Sequence, residues 1–247
     1  MTGLALAAAI VITCAAALCQ SLTGFGFALV MVPLLSLAWD VKSAVVTSTL
    51  LGTIALLPLL VGARRHVRLS AVAALSVGSL AGIPAGLLIL DLIDPEALKI
   101  LVGVTVIAAS VLVYRVREVT TTRAGVVPAV AAGVVSGVLR ASTSMGGPPA
   151  VLYLLGAERD VEAFRGTILA FFLPMSLVTI VGLAAVGRVT PDVLRTSAIA
   201  LPALVVGLVL GAWLRYRVRE ELFRLLMLLL LILSSIGVII SASVGLA

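Results

Sequence analysis

Charged residues are scarce in this chain. They make up 11% of its 247 residues, where a soluble domain has about a quarter, while 62% are hydrophobic. This composition excludes an ordinary soluble fold and predicts an integral all-α membrane protein that lies in the lipid bilayer. The net charge of +6 is spread too thinly to indicate a nucleic-acid partner, and we interpret it first as a signal of orientation in the membrane.

Groups that carry enzyme chemistry are almost as rare. The only histidine, His66, stands among arginines in a loop, and no Asp or Glu lies inside an apolar segment. Cys14 and Cys19 are five residues apart with no further metal-binding residue nearby, so we expect small buried side chains. The sequence has no GxxxxGK[ST] phosphate-binding loop. We therefore expect a protein that is not an enzyme, with no catalytic residue, no metal and no cofactor.

Ten apolar segments account for nearly the whole chain, so we expect no soluble domain. Those close to 20 residues in length can cross a bilayer. Two are only about 15–18 Å long at 1.5 Å per residue, and each follows a glycine-rich break. The segments are 3–20, 27–38, 43–62, 69–90, 97–114, 124–140, 148–157, 164–186, 193–213 and 222–244, and the short ones are 27–38 and 148–157.

The two halves of the chain are related in sequence. The sequence predicts a first repeat, 1–120, and a second, 121–247, each with a broken hairpin of helices followed by three transmembrane helices. Internal repeats of this kind are common in secondary transporters. A shift of 120 aligns Thr23 with Thr143, Gly26 with Gly146 and Asp40 with Asp160, and a shift of 125 aligns Gly82 with Gly207 and Gly86 with Gly211.

Basic residues decide whether the repeats are parallel or inverted. If each broken pair returns to the side it came from, 12 of the 17 basic residues fall on one side, four on the other and Arg140 in the membrane. If each pair crosses once, the split is eight against eight. The positive-inside rule favours the first arrangement, which has inverted repeats, both termini outside and the loops 63–68, 115–123 and 215–221 in the cytoplasm. Charge leaves open whether the broken pairs are re-entrant or two thin spans, and their shortness favours re-entrant hairpins.

A basic residue and a helix break occur together in LRASTSMGGPPA, residues 139–150. A break within lipid is tolerated where it is buried in protein or lines a polar cavity. Pro148 and Pro149 suit the first turn of a helix, whose N-terminus offers free N–H groups and partial positive charge to an anion. Arg140 adds a full charge with no acidic residue to pair with. Inverted symmetry would bring the first break to the same place, so we predict an anion site between the two.

The predicted binding residues come from both breaks. They are Arg140, Ser142, Thr143, Ser144, Gly146 and Gly147 in the second half, and Gln20, Thr23, Gly24 and Gly26 in the first. Alternatives stay open: Arg140 could instead reach an interface or bond carbonyls freed by the break, and the hydroxyls of 142–144 could bond their own backbone. For the hydroxyls of 47–49 we favour bonding within the helix. The paired glycines of 69–90 and 193–213 predict close helix packing and equally permit a homodimer.

The duplicated layout resembles a known family. With TGFGFALVMVPLL in the first half and STSMGGPPAVLYLL in the second, the chain is similar to the sulfite exporter TauE/SafE family of membrane transporters over about residues 4–240. The resemblance implies a multi-pass protein of the inner (cytoplasmic) membrane that exports sulfite, sulfoacetate or related organosulfonates. We expect alternating access, with the anion held at the N-termini of the two short helices. An anion channel, or a transporter of another small anion, is the alternative.

Overall fold

The fold of the described residues is entirely helical. A computed structural model describes residues 3–63, 67–115, 125–157, 160–214, 217 and 236–238, so His66 and most of the predicted segment 222–244 lie outside the described residues, as do parts of the basic loops. The nine helices in these ranges are α1 (Gly3–Thr23), α2 (Phe27–Ser36), α3 (Val41–Ala63), α4 (Leu69–Leu92), α5 (Pro95–Arg115), α6 (Val126–Thr143), α7 (Gly147–Ala157), α8 (Val161–Ala185) and α9 (Pro191–Leu214).

Six of the described helices are long and apolar enough to cross a membrane, which makes this a multi-pass membrane protein. The two short apolar helices, α2 and α7, have 10 and 11 residues and are about 15–17 Å long, so neither spans a bilayer alone. Helix α5 is present where a third span of the first half is predicted, but it is not one of the six. The six spans are Ala5–Thr23, Val41–Gly62, Leu69–Leu92, Val126–Thr143, Glu162–Ala185 and Pro191–Leu214.

The breaks before the short helices are narrower than the sequence indicates. Helices α1 and α6 continue to Thr23 and Thr143, so Gln20 and Arg140 lie inside intact helices. In the first break, Gly24 and Gly26 have φ of 82° and 113°, the left-handed region that glycine adopts without strain. In the second, Ser144 caps α6 with φ of 64°, and its N–H donates to the carbonyl of Arg140 over 2.9 Å. A polar side chain does not end a helix by itself, because it removes no backbone donor.

The helices that follow the hairpins begin at aligned aspartates. The carboxylate of Asp40 accepts a hydrogen bond from the N–H of Ser43 over 2.8 Å, and that of Asp160 accepts one from the N–H of Glu162 over 3.0 Å. Each carboxylate satisfies an amide that has no partner within its own helix. The same local signal thus starts α3 and α8 in the two halves.

Each half packs its first helix against the fourth helix of the other half. Helix α1 packs on α9, and α6 packs on α4. A Cβ added to Gly207 would lie 2.3 Å from a carbonyl oxygen of α1, and one added to Gly82 would lie 2.2 Å from a carbonyl oxygen of α6. Gly211 and Gly86 approach the same helices one turn further on. The prediction of close packing is confirmed, and because these glycine faces are used within the subunit they do not argue for a homodimer.

Helices α3 and α8 connect the two packed pairs. They pack against each other, and each also packs against the fourth helix of the other half, α9 for α3 and α4 for α8. The short helices lie beside them: α2 packs on α1 and α3, and α7 packs on α6 and α8. This arrangement brings the first turns of α2 and α7 to one cavity.

Candidate functional site

A cavity lies between the first turns of the two short helices. Its volume of about 60 Å³ is room for a few waters or one small anion, since a single water needs roughly 10–15 Å³. Its walls come from α1, α2 and α3 in the first half, and from α6, α7 and α8 in the second. The lining residues are Gln20, Phe25, Gly26, Phe27, Ala28, Leu29, Ser48, Thr49, Gly52, Thr53 and Leu56, and then Arg140, Ser144, Met145, Gly147, Pro148, Phe172 and Ser176.

The walls of this cavity follow the duplication. Of the 18 lining residues, 12 form six pairs separated by 120 positions, which is the shift that aligns the two breaks. The residue type differs within each pair, and in two pairs the polarity or charge differs as well, Gln20 with Arg140 and Leu56 with Ser176. The pairs are Gln20 with Arg140, Phe25 with Met145, Phe27 with Gly147, Ala28 with Pro148, Gly52 with Phe172 and Leu56 with Ser176.

Arg140 is held by one face of α8. Its side chain is 6% exposed, and its Nη1 donates a hydrogen bond to Oγ of Ser176 over 2.8 Å. The guanidinium carbon lies 4.5 Å from the ring centre of Phe172 and 5.9 Å from that of Phe171, both within the range of cation–π attraction. Residues 172 and 176 are one turn apart, so they meet the guanidinium from the same helix face.

The positive charge of Arg140 has no counter-charge among the described residues at the cavity. It is the only charged residue among those that line it, and no carboxylate of the described ranges is bonded to it. Of its five N–H donors, one is bonded within the described part of the chain, and Nε is buried without a partner. Arg140 therefore neither reaches an interface nor bonds carbonyls of the break. A buried charge of this kind is unfavourable unless a ligand compensates it.

The N-terminus of α2 supplies backbone donors to the cavity. The amides of Phe27, Ala28 and Leu29 precede the first turn's hydrogen bonds and have no acceptor among the described residues, and all three residues line the cavity. The N-terminus of α7 supplies fewer donors, because Pro148 and Pro149 have no N–H. The first half thus contributes amides and the second half contributes the full charge.

The three predicted hydroxyls of the second break have different positions. Oγ of Ser144 lines the cavity and contacts the hydroxyls of Thr49 and Ser48 at 3.1 and 3.4 Å. Ser142 and Thr143 instead donate to the carbonyls of residues 138 and 139 in their own helix, over 2.8 and 2.7 Å. Bonding one turn back satisfies these two hydroxyls and leaves them away from the cavity wall.

Only two of the four residues predicted at the first break line the cavity. Gln20 and Gly26 line the cavity, whereas Thr23 and Gly24 do not. The hydroxyl of Thr23 donates to the carbonyl of Cys19 over 2.9 Å and closes the break locally. Gly24 lies under the side chain of Arg165, whose Nη2 donates to the last turn of α1 over 3.0 Å.

The two glycines of the second break have different neighbours. A Cβ on Gly146 would lie 2.6 Å from the carbonyl oxygen of Ser136 and 2.7 Å from Cβ of Arg140, so this glycine lets the break lie directly on α6. A Cβ on Gly147 would meet only the rings of Phe172 and Phe25, at 3.7 and 3.8 Å. Gly147 therefore lines the cavity, whereas Gly146 packs directly against the side chain of Arg140.

In each half, a phenylalanine ring packs on a glycine of a neighbouring helix. The ring comes from the short helix in the first half and from the long helix in the second. In the first half the ring of Phe27, on the short helix, lies on Gly52 of α3, where a Cβ would be 3.2 Å from the ring. In the second half the ring of Phe172, on α8, lies beside Gly147 of the short helix. Each pair thus joins one phenylalanine to one glycine, with the two types exchanged. Phe27, which stands where a small residue is expected, occupies the space that Gly52 leaves.

Sequence reasoning missed several lining residues. Phe172, Ser176, Gly52 and Thr53 lie in ordinary apolar segments, where nothing local distinguishes them. The hydroxyls of 48 and 49 were expected to bond within their helix, and Thr49 does bond the carbonyl of residue 45, but both also line the cavity. The shift of 120 relates Phe172 and Ser176 to Gly52 and Leu56, but these two were not predicted either, so the alignment gave no signal for them.

Comparison with known proteins agrees with this architecture. The model of the sulfite exporter TauE/SafE family matches residues 8–238. The chain is also 26% identical over 200 residues to the "Probable sulfite/organosulfonate exporter TauE" of Cupriavidus necator, over 78% of this chain and 77% of that protein. No solved structure matches the chain significantly. Members of this family are transporters and not enzymes, and the chain belongs to the sulfite exporter TauE/SafE family.

Proposed function

We propose that this protein exports small sulfur-containing oxyanions, such as sulfite or organosulfonates, across the inner (cytoplasmic) membrane by alternating access. The relative from Cupriavidus necator carries a name that gives this substrate class. The proposal assigns the anion to the cavity between α2 and α7. Its oxygens accept hydrogen bonds from Arg140 and from the first amides of α2.

One observation carries the proposal. The cavity holds a buried guanidinium beside which the described residues place no carboxylate, and it is also lined by a helix N-terminus whose first three amides have no acceptor among those residues. Both features favour an anion, and a guanidinium offers two parallel N–H groups to two oxygens of a sulfonate. Hydrogen bonds to an ion are stronger than those between neutral groups. The small volume fits an anion of a few atoms.

The proposal includes inverted repeats, 1–120 and 121–247, with both termini outside. Helix α1 packs on α9 in the same way as α6 packs on α4, and six pairs of lining residues are 120 positions apart. Both observations support a two-fold relation between the halves. The basic loops support inversion by the positive-inside rule. In this arrangement α2 and α7 are the second arms of re-entrant hairpins that meet inside the membrane, as in transporters with half-helices.

Coupling is expected to need no proton relay in the cavity wall. Relays in membranes use carboxylates or histidines, and the lining residues include neither. Two schemes need no titratable side chain in the cavity wall: movement of the anion down its own gradient, and movement of a proton bound to the substrate itself. Flux measured with and without an imposed pH gradient separates these two schemes.

The test is uptake of labelled sulfite, methanesulfonate and taurine into proteoliposomes that contain the purified full chain. Arg140→Gln is the informative variant, and Arg188→Gln is its control, because Arg188 pairs with Asp91 outside the cavity. We expect saturable uptake with counterflow by the wild type, a loss of at least about tenfold for Arg140→Gln, and normal uptake for the control. No uptake of any of these compounds by the wild type would refute the proposal. Flux that does not saturate would indicate a channel.

A further inference from the structure

Two aligned residues face the cavity from opposite halves and differ in charge. Gln20 and Arg140 are separated by the shift of 120, are 4% and 6% exposed, and both line the cavity. Nε of Arg140 has no partner among the described residues. A side-chain amide at position 20 and a guanidinium at position 140 thus both lie at the wall of the cavity, where a ligand would contact them.

The formal charge of the cavity comes from Arg140 alone. The other 17 lining residues, Gln20 included, are neutral at all ordinary pH values. The N-termini of α2 and α7 add roughly half a positive charge each, and the C-termini of α1 and α6, which end at the same two breaks, subtract the same amount. The site therefore carries a net charge close to +1.

We infer that the cavity selects singly charged oxyanions over doubly charged ones, and that the identity of residue 20 sets this selectivity. The inference rests on the proposed function and narrows its substrate class. A monoanion balances Arg140, whereas a dianion leaves one negative charge uncompensated beside side chains that are only 4% and 6% exposed, Gln20 and Arg140. Uncompensated buried charge is strongly unfavourable. Methanesulfonate and bisulfite fit this description, and sulfate, sulfite dianion and sulfoacetate do not.

The shape of the wall agrees with this charge balance. The polar groups lie at Arg140, at the first turn of α2 and at the hydroxyls of α3, while Phe27, Leu56, Met145 and Phe172 form apolar surface. An anion with oxygens on all sides would leave some of them against carbon, without hydrogen bonds. A sulfonate has three oxygens on one side and an alkyl group on the other. Gln20, a neutral amide, can donate to an oxygen without adding charge.

The first test uses the wild-type chain and competition. Uptake of labelled methanesulfonate into proteoliposomes is measured with unlabelled methanesulfonate or sulfate added at equal concentrations. We expect sulfate to compete at least about tenfold more weakly. A pH series then compares sulfite with methanesulfonate, whose charge does not change near neutral pH. The ratio of sulfite to methanesulfonate uptake should rise as the pH falls, because bisulfite replaces the dianion.

The second test changes the charge at residue 20. Gln20→Arg and Gln20→Lys add a positive charge, and Gln20→Met is the matched neutral control. We expect both charged variants to shift the sulfate-to-methanesulfonate competition ratio at least about tenfold toward sulfate, and the control to leave the ratio unchanged. If the charged variants do not fold, the wild-type ratios still decide whether the cavity selects singly charged oxyanions.

The outcomes separate this inference from the function on which it rests. If the wild type takes up methanesulfonate and sulfate competes equally, the charge selectivity is refuted and the transporter assignment stands. An unchanged competition ratio in folded Gln20→Arg refutes the role of residue 20. If no sulfur oxyanion is taken up at all, the proposed function fails and the inference fails with it.

Discussion

Arg140 of α6 donates a side-chain hydrogen bond to Ser176 of α8 over 2.8 Å, the one such bond it makes within the described part of the chain. This bond joins the residue that carries the site's charge to the helix that forms its wall. It fixes one side of the guanidinium and leaves the other donors for a ligand. We therefore expect Ser176 to position Arg140 for an anion.

Ser176→Ala should weaken anion binding without unfolding the protein. Loss of a hydrogen bond to a charged group is worth about 1.5–3 kcal/mol, so we expect the KM for methanesulfonate to rise about tenfold or more, with a smaller change in the maximum rate. Thr179→Val, one turn further along α8, is the matched control because the hydroxyl of Thr179 bonds its own helix over 2.8 Å. Equal KM values for the two variants would remove Ser176 from the site.

The neighbouring glycines of the second break should respond differently to alanine. In Gly146→Ala the new methyl group would meet the carbonyl of Ser136 at 2.6 Å and push against Arg140, so uptake should fall at least about tenfold. In Gly147→Ala it would meet only ring atoms at ordinary contact distance, so we expect uptake within about threefold of the wild type. Uptake by purified, monodisperse variants measures the difference. A larger loss in Gly147→Ala would contradict this assignment.

The exchanged phenylalanine and glycine pairs should be energetically coupled. Phe27→Gly removes a buried ring, which is 3% exposed, and Gly52→Phe adds a ring where Phe27 already lies, so each should lower the unfolding free energy by about 3–5 kcal/mol. The double variant recreates the arrangement of Gly147 and Phe172. We expect it to recover at least about 1 kcal/mol relative to the sum of the singles, measured by thermal unfolding in detergent. Additive losses would show that the two positions are independent.

The glycines between packed helices should not tolerate a methyl group. Gly82→Ala and Gly207→Ala would each place a Cβ within 2.3 Å of a backbone carbonyl, and backbone cannot move aside as a flexible side chain can. We expect a loss of about 1–3 kcal/mol or more for each. Gly62→Ala is the control, because a Cβ there meets nothing within 4 Å. Thermal unfolding of the three variants tests this, and equal midpoints would refute the close approach.

The proposed orientation predicts which residues can be labelled from outside intact cells. In a chain carrying Cys14→Ala and Cys19→Ala, a cysteine at Asp94 should react with a membrane-impermeant maleimide. A cysteine at Arg68 should react only after the membrane is opened. The reverse pattern would invert the orientation, and labelling of both in intact cells would refute the predicted path of α4.

Much of the fold could be predicted because lipid imposes simple rules on sequence. Apolar length identified the six described spans, and it also predicted 97–114, which is not one of them. Glycines located the first break, and glycines with prolines located the second. The ends of α1 and α6 were misplaced because Gln20 and Arg140 looked like part of the break, whereas only backbone geometry ends a helix. The contacts of Phe172 and Ser176 could not be predicted locally. They depend on which face of α8 meets α6, which is a property of the packed bundle.

The close approach of α1 to α9 and of α4 to α6 has a mechanical consequence. Helices whose backbones touch through glycine cannot slide or tilt separately without steric clash, so we expect each pair to move as one rigid unit. Each unit contains one helix from each half of the sequence. We therefore predict that the motion that opens the cavity runs between the two mixed pairs, along α3 and α8, rather than between the first and the second half of the chain.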